Sequence, residues 1–413
     1  MELHILLIYI LAYVGLFTTA FYALSMASYY RKKDNPSEAE DKSVSIVIPA
    51  HNEEKDIAKT IKSAMGINYP KGKLEVIVVD DGSTDSTYAI AKSFPIAVFT
   101  KKRGGKGAAL NYGIGQAKNE IIITMDADTI AEPDAVRKMM AHFHNDTVVS
   151  VTPSIGVYQP KGLLGRVQQI EYYLGVFMRK TFATVNAIYV TPGAFAAYRK
   201  SFFEKHGLFE ENNITEDLEI ALRIQSKKLA IENAPKAVVY TMAPEKFGDV
   251  LIQRKRWYVG LIKNMWNYRH LYGFEYGTLG KVILPTATIS VLLAVAIMSY
   301  AVIRSLAELQ KDIVLLQSIN FAFYDAFEIS VYSLQSIFLR VFSEPAFIFS
   351  FLFIFIIGIY LHFSRRQMLY KEGVIINFAL FILLFSLLFV FWWILSFFSA
   401  IFSKNVKWRN EDA

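Results

Sequence analysis

Long apolar runs without formal charge occur near both ends of this chain and flank a more polar central region. In the first run, residues 3–30, only His4 could carry a positive charge. About 20 helical residues cross the hydrocarbon core of a bilayer at about 1.5 Å per residue, so this run is long enough to span a membrane. The basic residues Arg31, Lys32 and Lys33 follow it. This order predicts an uncleaved span whose C-terminal end faces the cytoplasm, with a cleaved secretory signal as the alternative.

Three further apolar runs occur in the C-terminal third of the chain, at residues 282–303, 345–363 and 374–403. Apart from His362 in the second run, none of them contains an ionisable cation or a carboxylate. Each run is long enough for a transmembrane helix, and we predict three spans.

The segment 313–342 is apolar and aromatic, but it contains Asp325, Glu328 and Arg340. Because a charge in the middle of a bilayer is costly, we expect an interfacial or protein-packed helix here, with a further span as the alternative. Basic residues occur both before and after the last apolar run. The positive-inside rule therefore does not decide the side of the C-terminus.

The central region contains three short runs rich in β-branched residues, at 44–48, 74–79 and 120–125, with helix-like stretches at 53–65 and 85–93. Apolar strands that alternate with helices predict a parallel sheet covered on both faces. In such sheets, ligands bind beyond the carboxyl ends of the strands. Each run ends in polar or acidic residues, so we expect a binding site at that edge.

The composition agrees with a membrane protein that carries a folded polar domain. Hydrophobic residues make up 53% of the 413 residues and charged residues 20%, with a mean hydropathy of +0.29. These values exclude a disordered protein, a collagen and a simple soluble enzyme. The absence of cysteine excludes a disulfide scaffold and a thiolate metal site. The net charge of +7 is compatible with nucleic acid, anionic lipid or an anionic small substrate.

Two acidic motifs follow predicted strands. The first, Asp80-Asp81-Gly82-Ser83, could accept hydrogen bonds from a base or a ribose, or could simply close a turn. The second is Asp126-Ala127-Asp128, whose two carboxylates could hold a divalent cation together with phosphate oxygens, or could end the strand in a turn.

Two other motifs have both a structural and a chemical interpretation. In Thr215-Glu216-Asp217, Thr215 could cap a helix with an acidic first turn, and a carboxylate there could also act as a general base. The basic motif Gln253-Arg-Lys-Arg-Trp257 precedes a predicted span by about 25 residues. It could contact anionic lipid, or Arg256 could pair with a diphosphate while Trp257 stacks on a sugar ring.

Histidines show no spacing typical of a metal site, and we interpret His51, His142, His144 and His206 as surface or packing residues. No basic strand face with interleaved aromatic residues occurs, so we expect no nucleic-acid partner.

Taken in order, these motifs resemble the processive, membrane-embedded family 2 glycosyltransferases, which include cellulose, hyaluronan, chitin and poly-N-acetylglucosamine synthases. The matching stretches are VSIVIPAHNEE at 44–54, VDDGS at 79–83, GKGAALN at 105–111, DAD at 126–128, ITED at 214–217 and QRKRW at 253–257. The phrase ITEDLEI at 214–220 is most similar to the bacterial poly-N-acetylglucosamine synthases. Residues 171–180 match the interface helix of the group only loosely.

The resemblance implies a GT-A fold, a Rossmann-like and mostly parallel α/β sheet, as a cytoplasmic domain of an integral plasma-membrane protein. The expected parts are a transmembrane helix at 1–30, a linker at 31–42, the catalytic domain at 43–247, an interfacial segment at 248–280 and a C-terminal membrane region at 281–413.

The resemblance also assigns roles to residues. Donor binding falls to Ala50, Asn52, Glu53, Asp80, Asp81, Lys106, Asp126, Ala127 and Asp128, with Asp80 or Asp81 at the uracil and ribose of a UDP-sugar. Asp126 and Asp128 would hold Mg²⁺ or Mn²⁺. Asp217 would be the general base, with Glu216 beside it. The diphosphate and the acceptor would contact Gln253, Arg256, Trp257, Gly193 and Ala194.

The expected reaction is metal-dependent transfer of a sugar from a UDP-sugar to a growing polysaccharide, with inversion, as in a hexosyltransferase. Single transfer to a polyprenyl phosphate or glycolipid is the alternative, and a non-catalytic binding protein is a third. Membrane lipids are expected partners, and the resemblance allows an accessory export or regulatory subunit.

Overall fold

A computed structural model of the chain describes residues 3–31, 42–318, 335–336, 338–339, 345–369 and 373–402. The chain divides into two compact units. One consists of Met1–Leu24 and Leu284–Ile359, and the other of Ser25–Ile283 and Tyr360–Ala413. Most of the 313–342 segment, including its charged residues, lies outside the described residues.

The second unit contains an eight-stranded mixed sheet in the order β3-β2-β1-β4-β7-β6-β8-β5. Pairings within β3-β2-β1-β4 and between β6 and β8 are parallel, whereas β7 and β5 pair antiparallel with their neighbours. The strands are β1 Val44–Ala50, β2 Leu74–Asp80, β3 Ala97–Thr100, β4 Ile121–Met125, β5 Thr129–Ala131, β6 Val148–Val157, β7 Phe195–Arg199 and β8 Ala230–Thr241.

Some helices cover the sheet, and others form the apolar segments. Their bounds are α1 Leu3–Arg31, α2 Ile57–Met65, α3 Thr87–Lys92, α4 Lys106–Gln116, α5 Ala135–Met140, α6 Gly162–Thr184, α7 Lys200–His206, α8 Glu216–Ser226, α9 Phe247–Asn267, α10 Leu284–Ser318, α11 Pro345–Gln367 and α12 Val374–Phe402.

The three strands predicted from apolar runs are confirmed within two residues at either end. Because β1, β2 and β4 are covered by helices, nearly all their side chains are buried. In register, Ala50 at the end of β1 pairs with Asp80 at the end of β2. The polar residues after β1, β2 and β4 therefore meet at one edge of the sheet, as expected.

Three described helices are long and apolar enough to span a membrane, with apolar parts at Leu6–Ala27, Leu279–Leu309 and Phe347–Gln367. They correspond to the first three predicted spans. The fourth predicted span is a bent pair of helical segments, Val374–Phe385 and Leu388–Ala400, which meet at an angle of 43°. The domain boundaries drawn from the sequence stay predictions.

A close contact between α9 and the start of α8 positions the basic motif. Gly260 on α9 has no room for a side chain, because an added Cβ would lie 2.2 Å from the Thr215 hydroxyl. Buried Asn264 fixes the same contact and donates from Nδ2 to Thr215 Oγ1 at 2.9 Å. Residues 253–257 are thereby held near the acidic first turn of α8. Helix α12 packs along both α9 and α6 within this unit.

Candidate active site

A cavity of about 540 Å³ opens at the carboxyl edge of the parallel strands. This volume is typical of sites for small molecules and cofactors. The ends of β1 and β4, the glycine-rich turn before α4 and one face of α9 line it. Cationic and anionic side chains both reach this cavity, among them Arg103, Lys106, Arg256, Asp81, Asp126 and Asp128.

Asp81 holds the glycine-rich turn against the sheet. Its Oδ1 accepts hydrogen bonds from the Gly104 amide at 2.9 Å and from Lys101 Nζ at 2.8 Å, and its Oδ2 accepts from the Gly105 amide at 2.7 Å. Gly105 has φ of +88°, a conformation that favours glycine. Asp81 thus faces the cavity while it also shapes the loop that leads into Lys106.

Asp80 is buried beside Asp81 but does not reach the cavity lining. Its carboxylate accepts a hydrogen bond from Thr100 Oγ1 at 3.0 Å and closes the following turn at the Ser83 amide, at 3.4 Å. Of the two aspartates proposed for the uracil and the ribose, the geometry therefore favours Asp81.

The segment after β1 contributes Ala50, His51 and Glu53 to the cavity. Asn52 lies between them in a left-handed conformation, with φ of +55°, and its Oδ1 accepts from the Thr84 amide at 2.9 Å. Asn52 therefore fixes the turn and is not part of the lining.

His51 was interpreted from the sequence as a surface or packing residue, but it borders the cavity. Its Nδ1 is 3.1 Å from the Asp81 carbonyl oxygen, and its buried Nε2 has no hydrogen-bond partner in the described part of the chain. Its place within the VSIVIPAHNEE motif was the signal that could have identified it.

Lys106 is the central cation of the site. Its Nζ lies 2.7 Å from Asp126 Oδ1 and 3.0 Å from Glu216 Oε1. Burial alone would lower the pKa of this lysine, but the carboxylates of Asp126, Glu216 and Asp217 outweigh it, and the pKa is raised. Lys106 thus stays charged and joins the donor edge of the cavity to the start of α8.

Asp126 and Asp128 both line the cavity, on the turn after β4. Burial first, and then the neighbouring Asp126 carboxylate, raise the pKa of Asp128 to about 7. Lys106 and a hydrogen bond from Thr241 Oγ1 to Asp128 Oδ1, at 3.3 Å, oppose this rise only in part. An approaching cation would stabilise the ionised form of such a carboxylate pair.

No group of three or more histidine, aspartate or glutamate side chains arranged for a metal occurs within the described ranges. Mg²⁺ commonly binds through one or two carboxylates together with substrate phosphates. The Asp126–Asp128 pair fits a cation that arrives with a diphosphate, not one held by the protein alone.

Asp217 lies in the first turn of α8 and contacts the turn before β7. Its Oδ2 accepts from the Gly193 amide at 2.9 Å, and a Cβ at Gly193 would lie 2.7 Å from Lys106 Nζ and 3.0 Å from Asp217 Oδ2. The Ala194 carbonyl accepts from the Asp126 amide at 3.0 Å. Gly193 and Ala194 therefore connect the proposed base to the DAD motif.

Burial and the adjacent Glu216 carboxylate raise the pKa of Asp217 to about 6. Lys106 and Arg256 oppose this shift. Thr215 stands at the N-cap of α8, as expected, but its side chain makes no capping hydrogen bond and accepts from Asn264 instead. The acidic first turn of α8 is thus both a helix start favoured by the macrodipole and a source of reactive carboxylates.

Helix α9 presents Gln253 and Arg256 to the cavity. Trp257 is oriented differently, because the Arg254 guanidinium stacks on its ring with 4.1 Å between the guanidinium carbon and the ring centroid. One face of the indole that was expected to meet a sugar is therefore covered by Arg254.

Comparison with known proteins agrees with this geometry. Residues 45–207 match the family model "Glycosyl transferase family 2". The chain is 30% identical over 236 residues to a poly-beta-1,6-N-acetyl-D-glucosamine synthase of Staphylococcus epidermidis, which covers 54% of this chain and 57% of that protein. A synthase of the same name from Staphylococcus aureus (strain COL) is 30% identical over 237 residues, with 55% and 57% covered. The chain thus spans a little over half the length of these relatives.

Among solved structures, a mannosyltransferase from Pyrobaculum calidifontis in complex with GDP-Man and Mn²⁺ superposes with a TM-score of 0.55 at 20% identity. The superposition covers 88% of this chain and 100% of that chain. This likeness concerns the fold, and the expected GT-A type of α/β domain is confirmed. The expected resemblance to family 2 glycosyltransferases is confirmed by the family model and the relatives.

Proposed function

We propose that this chain is a family 2 glycosyltransferase that transfers a sugar from a UDP-sugar to a growing polysaccharide with inversion at the anomeric carbon. The observation that supports this most is that Lys106, at the cavity, pairs both with Asp126 of the DAD motif in the cavity lining and with Glu216 in the first turn of α8. The relatives are named as synthases of a N-acetylglucosamine polymer, which favours a polymer as the product.

The donor would occupy the cavity at the edge of the sheet. Ala50, Glu53 and Asp81 lie where the nucleoside would bind, with Asn52 and Asp80 holding the turns behind it. Arg256 reaches the same cavity and would pair with the diphosphate, since a guanidinium binds phosphate oxygens in a bidentate manner. Gln253 would add a hydrogen bond from the same face of α9.

Asp126 and Asp128 would hold Mg²⁺ or Mn²⁺ when the donor is bound, on either side of Ala127. The cation would offset the charge that develops on the leaving diphosphate. Lys106, which already contacts Asp126, would remain beside the nucleotide. Its positive charge would reduce the repulsion between the carboxylates and the diphosphate of the donor.

Asp217 would take the proton from the attacking hydroxyl of the acceptor. Its carboxylate is held by the Gly193 amide and lies among groups that keep it partly buried. With one base and no enzyme nucleophile, the acceptor attacks the face opposite the leaving group, and the configuration inverts. Glu216 pairs with Lys106 and would maintain the electrostatic balance beside the base.

Purified full-length protein, solubilised in detergent, tests the proposal. We expect UDP release from one UDP-sugar of a panel only when Mg²⁺ or Mn²⁺ and an acceptor are present, and a ladder of products on sizing. GDP-mannose belongs in the panel because a structural neighbour was solved with it. A single glycolipid product would establish the lipid-acceptor alternative, and no turnover of any nucleotide sugar would refute the enzyme.

For localisation, we propose an integral plasma-membrane protein whose catalytic domain faces the cytoplasm, where nucleotide sugars are made. Arg31 follows the apolar part of the first helix, and Lys255 and Lys263 precede the second apolar part, so basic residues flank the catalytic region on both sides. Positive charge near the ends of spans is retained in the cytoplasm. Helix α9 would lie at the interface, with Trp257 and Trp266 at headgroup depth.

Cysteine labelling tests this orientation, because the native chain contains no cysteine. A cysteine introduced by Lys227→Cys, at an exposed position after α8, should be protected from a membrane-impermeant maleimide in intact cells and labelled after lysis. Lys311→Cys, beyond the apolar part of α10, is the matched control and should be labelled in intact cells. Labelling of the Lys227→Cys variant in intact cells would refute the orientation.

A further inference from the structure

The segment 208–214 connects α7 to α8, and its second half forms one wall of the cavity proposed for the donor. We name it the 208–214 loop. The loop residues that line the cavity form an unbroken run, Glu211, Asn212, Asn213 and Ile214. Because the first turn of α8 begins at Glu216, the loop leads from the cavity directly to the proposed base.

On one side, the 208–214 loop is held against α4. Gly107 has loop backbone packed on it, since an added Cβ would lie 3.1 Å from Glu211 Cα and 3.3 Å from the Glu210 carbonyl oxygen. Asn111 Nδ2 donates to the Phe209 carbonyl and to Glu211 Oε1, each at 3.0 Å. Asn111 Oδ1 accepts from the Phe209 amide at 3.0 Å. The start of α4 therefore fixes the backbone of the loop.

On the other side, α9 holds the loop through a pair of asparagines. Asn213 Nδ2 donates to Asn264 Oδ1 at 2.9 Å, and Asn264 Nδ2 donates back to Asn213 Oδ1 at 3.1 Å. Asn213 Oδ1 also accepts from the Thr215 amide at 3.1 Å. Asn264 is buried, so this contact is shielded from water. A loop fixed from both sides can present a preorganised surface to a ligand.

Asn212 differs from its polar neighbours in this loop. Glu211 bonds to Asn111, Asn213 bonds to Asn264, and Glu210 Oε2 accepts from Asn213 Nδ2 at 3.1 Å. The exposed side chain of Asn212 lines the cavity but makes no hydrogen bond to any residue in the described part of the chain. A carboxamide has two N–H donors and one carbonyl acceptor. These groups are available to a molecule in the cavity.

The sugar of a bound donor would lie beside this loop. With the diphosphate near Asp126 and the base at Asp217, the sugar has to lie between them. Lys106 Nζ marks this region, because it lies 2.7 Å from Asp126 Oδ1 and 3.0 Å from Glu216 Oε1. The loop packs on Gly107, the residue next to Lys106. The cavity face of the loop is therefore adjacent to the place of the sugar.

The cations of the cavity lie elsewhere. Within the described ranges, the lysine and arginine residues of the lining are Arg103, Lys106 and Arg256. Arg103 lies at the nucleoside end, where an added Cβ on Gly82 would be 3.0 Å from its amide nitrogen. Lys106 is paired with carboxylates, and the proposed function assigns Arg256 to the diphosphate. The 208–214 loop itself contains two carboxylates and no basic residue.

We propose that the 208–214 loop recognises the sugar of the donor, that Asn212 is its specificity-determining residue, and that this sugar is uncharged. The inference rests on the proposed function and deepens it. Asn212 would bond to a sugar hydroxyl, since a carboxamide and a hydroxyl can each both donate and accept. Glu211 would repel the carboxylate of a uronic acid, which would find no cation on this loop.

Calorimetry on the full chain, purified in detergent and supplied with Mn²⁺, tests the role of Asn212. The probes are UDP, UDP-N-acetylglucosamine, UDP-glucose and UDP-glucuronate. Asn212→Ala should bind the uncharged donor that the wild type prefers about 3- to 10-fold more weakly, the value of one hydrogen bond between neutral groups. UDP carries no sugar, so its affinity should not change. Asn68→Ala, at an exposed asparagine outside the cavity lining, is the matched control and should bind every probe as the wild type does.

The same probes test the charge of the sugar. The wild type should bind UDP-glucuronate more weakly than its preferred uncharged donor. Glu211→Gln keeps an acceptor oxygen for Asn111 Nδ2 and removes the negative charge. This variant should bind UDP-glucuronate about 3- to 10-fold more tightly than the wild type does, because one repulsion between carboxylates is removed.

Two results would overturn the role of Asn212: wild-type affinity of Asn212→Ala for the preferred donor, or an equal loss of affinity for UDP, which would indicate a structural effect. UDP-glucuronate bound as tightly by the wild type as the uncharged donors would overturn the assignment of an uncharged sugar. UDP binding by the wild type separates the two levels of the proposal. If the wild type binds UDP and these results occur, the inference fails and the proposed function stands. If the wild type binds no nucleotide probe, the proposed function itself fails.

Discussion

Asp217→Asn is expected to abolish sugar transfer while UDP still binds. The amide keeps the size of the side chain and can still accept a hydrogen bond from the Gly193 amide, but it cannot take a proton. Loss of a positioned general base costs about 10²–10⁴-fold in rate. The measurement is UDP release with donor, metal and acceptor, beside calorimetry of UDP binding.

Asp134→Asn is the matched control for this variant. Asp134 is an exposed aspartate at the N-cap of α5, six residues after the DAD motif but not among the residues that line the cavity, and asparagine serves equally well at an N-cap. We expect transfer at the wild-type rate for this control. Wild-type turnover by Asp217→Asn would instead remove Asp217 from the role of base.

The same assignment predicts a dependence on pH. Burial and Glu216 raise the pKa of Asp217 to about 6, and a general base acts in its ionised form. Transfer should therefore be low below this pH, rise as the pH increases through about 6, and level off above it. The residual activity of Asp217→Asn should lack this rise, which separates titration of the base from other effects of acid.

The three strands that the sequence predicts, of the eight in the described sheet, are those with a simple pattern. β1, β2 and β4 are apolar runs buried on both faces, so their composition alone identifies them. β6 and β8 are equally buried but contain polar residues such as Ser154 and Asn233, whose side chains bond to backbone carbonyls of the neighbouring strand. Those hydrogen bonds depend on how two strands that are distant in the sequence are aligned. A local sequence pattern contains no information about that alignment.

The candidate site shows the same division. The sequence predicts that acidic motifs after β2 and β4 lie at one edge, because the direction of parallel strands requires it. It does not predict that Lys106 bridges Asp126 and Glu216, since these residues are separated by up to 110 positions and meet only through the antiparallel β7 and the start of α8. His51 and the Arg254–Trp257 stack were missed for a similar reason, because only the packed helices orient these side chains.

Asp128→Ala is expected to remove the metal-dependent part of UDP binding. Asp126 and Asp128 are the two cavity carboxylates on the turn after β4, and a site with two protein ligands cannot lose one and keep its cation. Changes in residues that only support a metal ligand already cost about 10–100-fold in metal affinity, so loss of a ligand should cost at least as much. The measurement is calorimetry with UDP, with and without Mn²⁺.

Asp146→Ala, a fully exposed aspartate after α5, controls for the loss of one negative charge from the same domain. Wild-type protein and this control should both bind UDP more tightly with Mn²⁺ than without it. Asp128→Ala should bind UDP equally under the two conditions, because the cation can no longer bridge the carboxylates and the diphosphate. If the variant keeps the full response to Mn²⁺, then Asp128 does not hold the metal. The Asp128 carboxylate would in that case serve only to help hold Lys106, the one cation that contacts its neighbour Asp126 within the described residues.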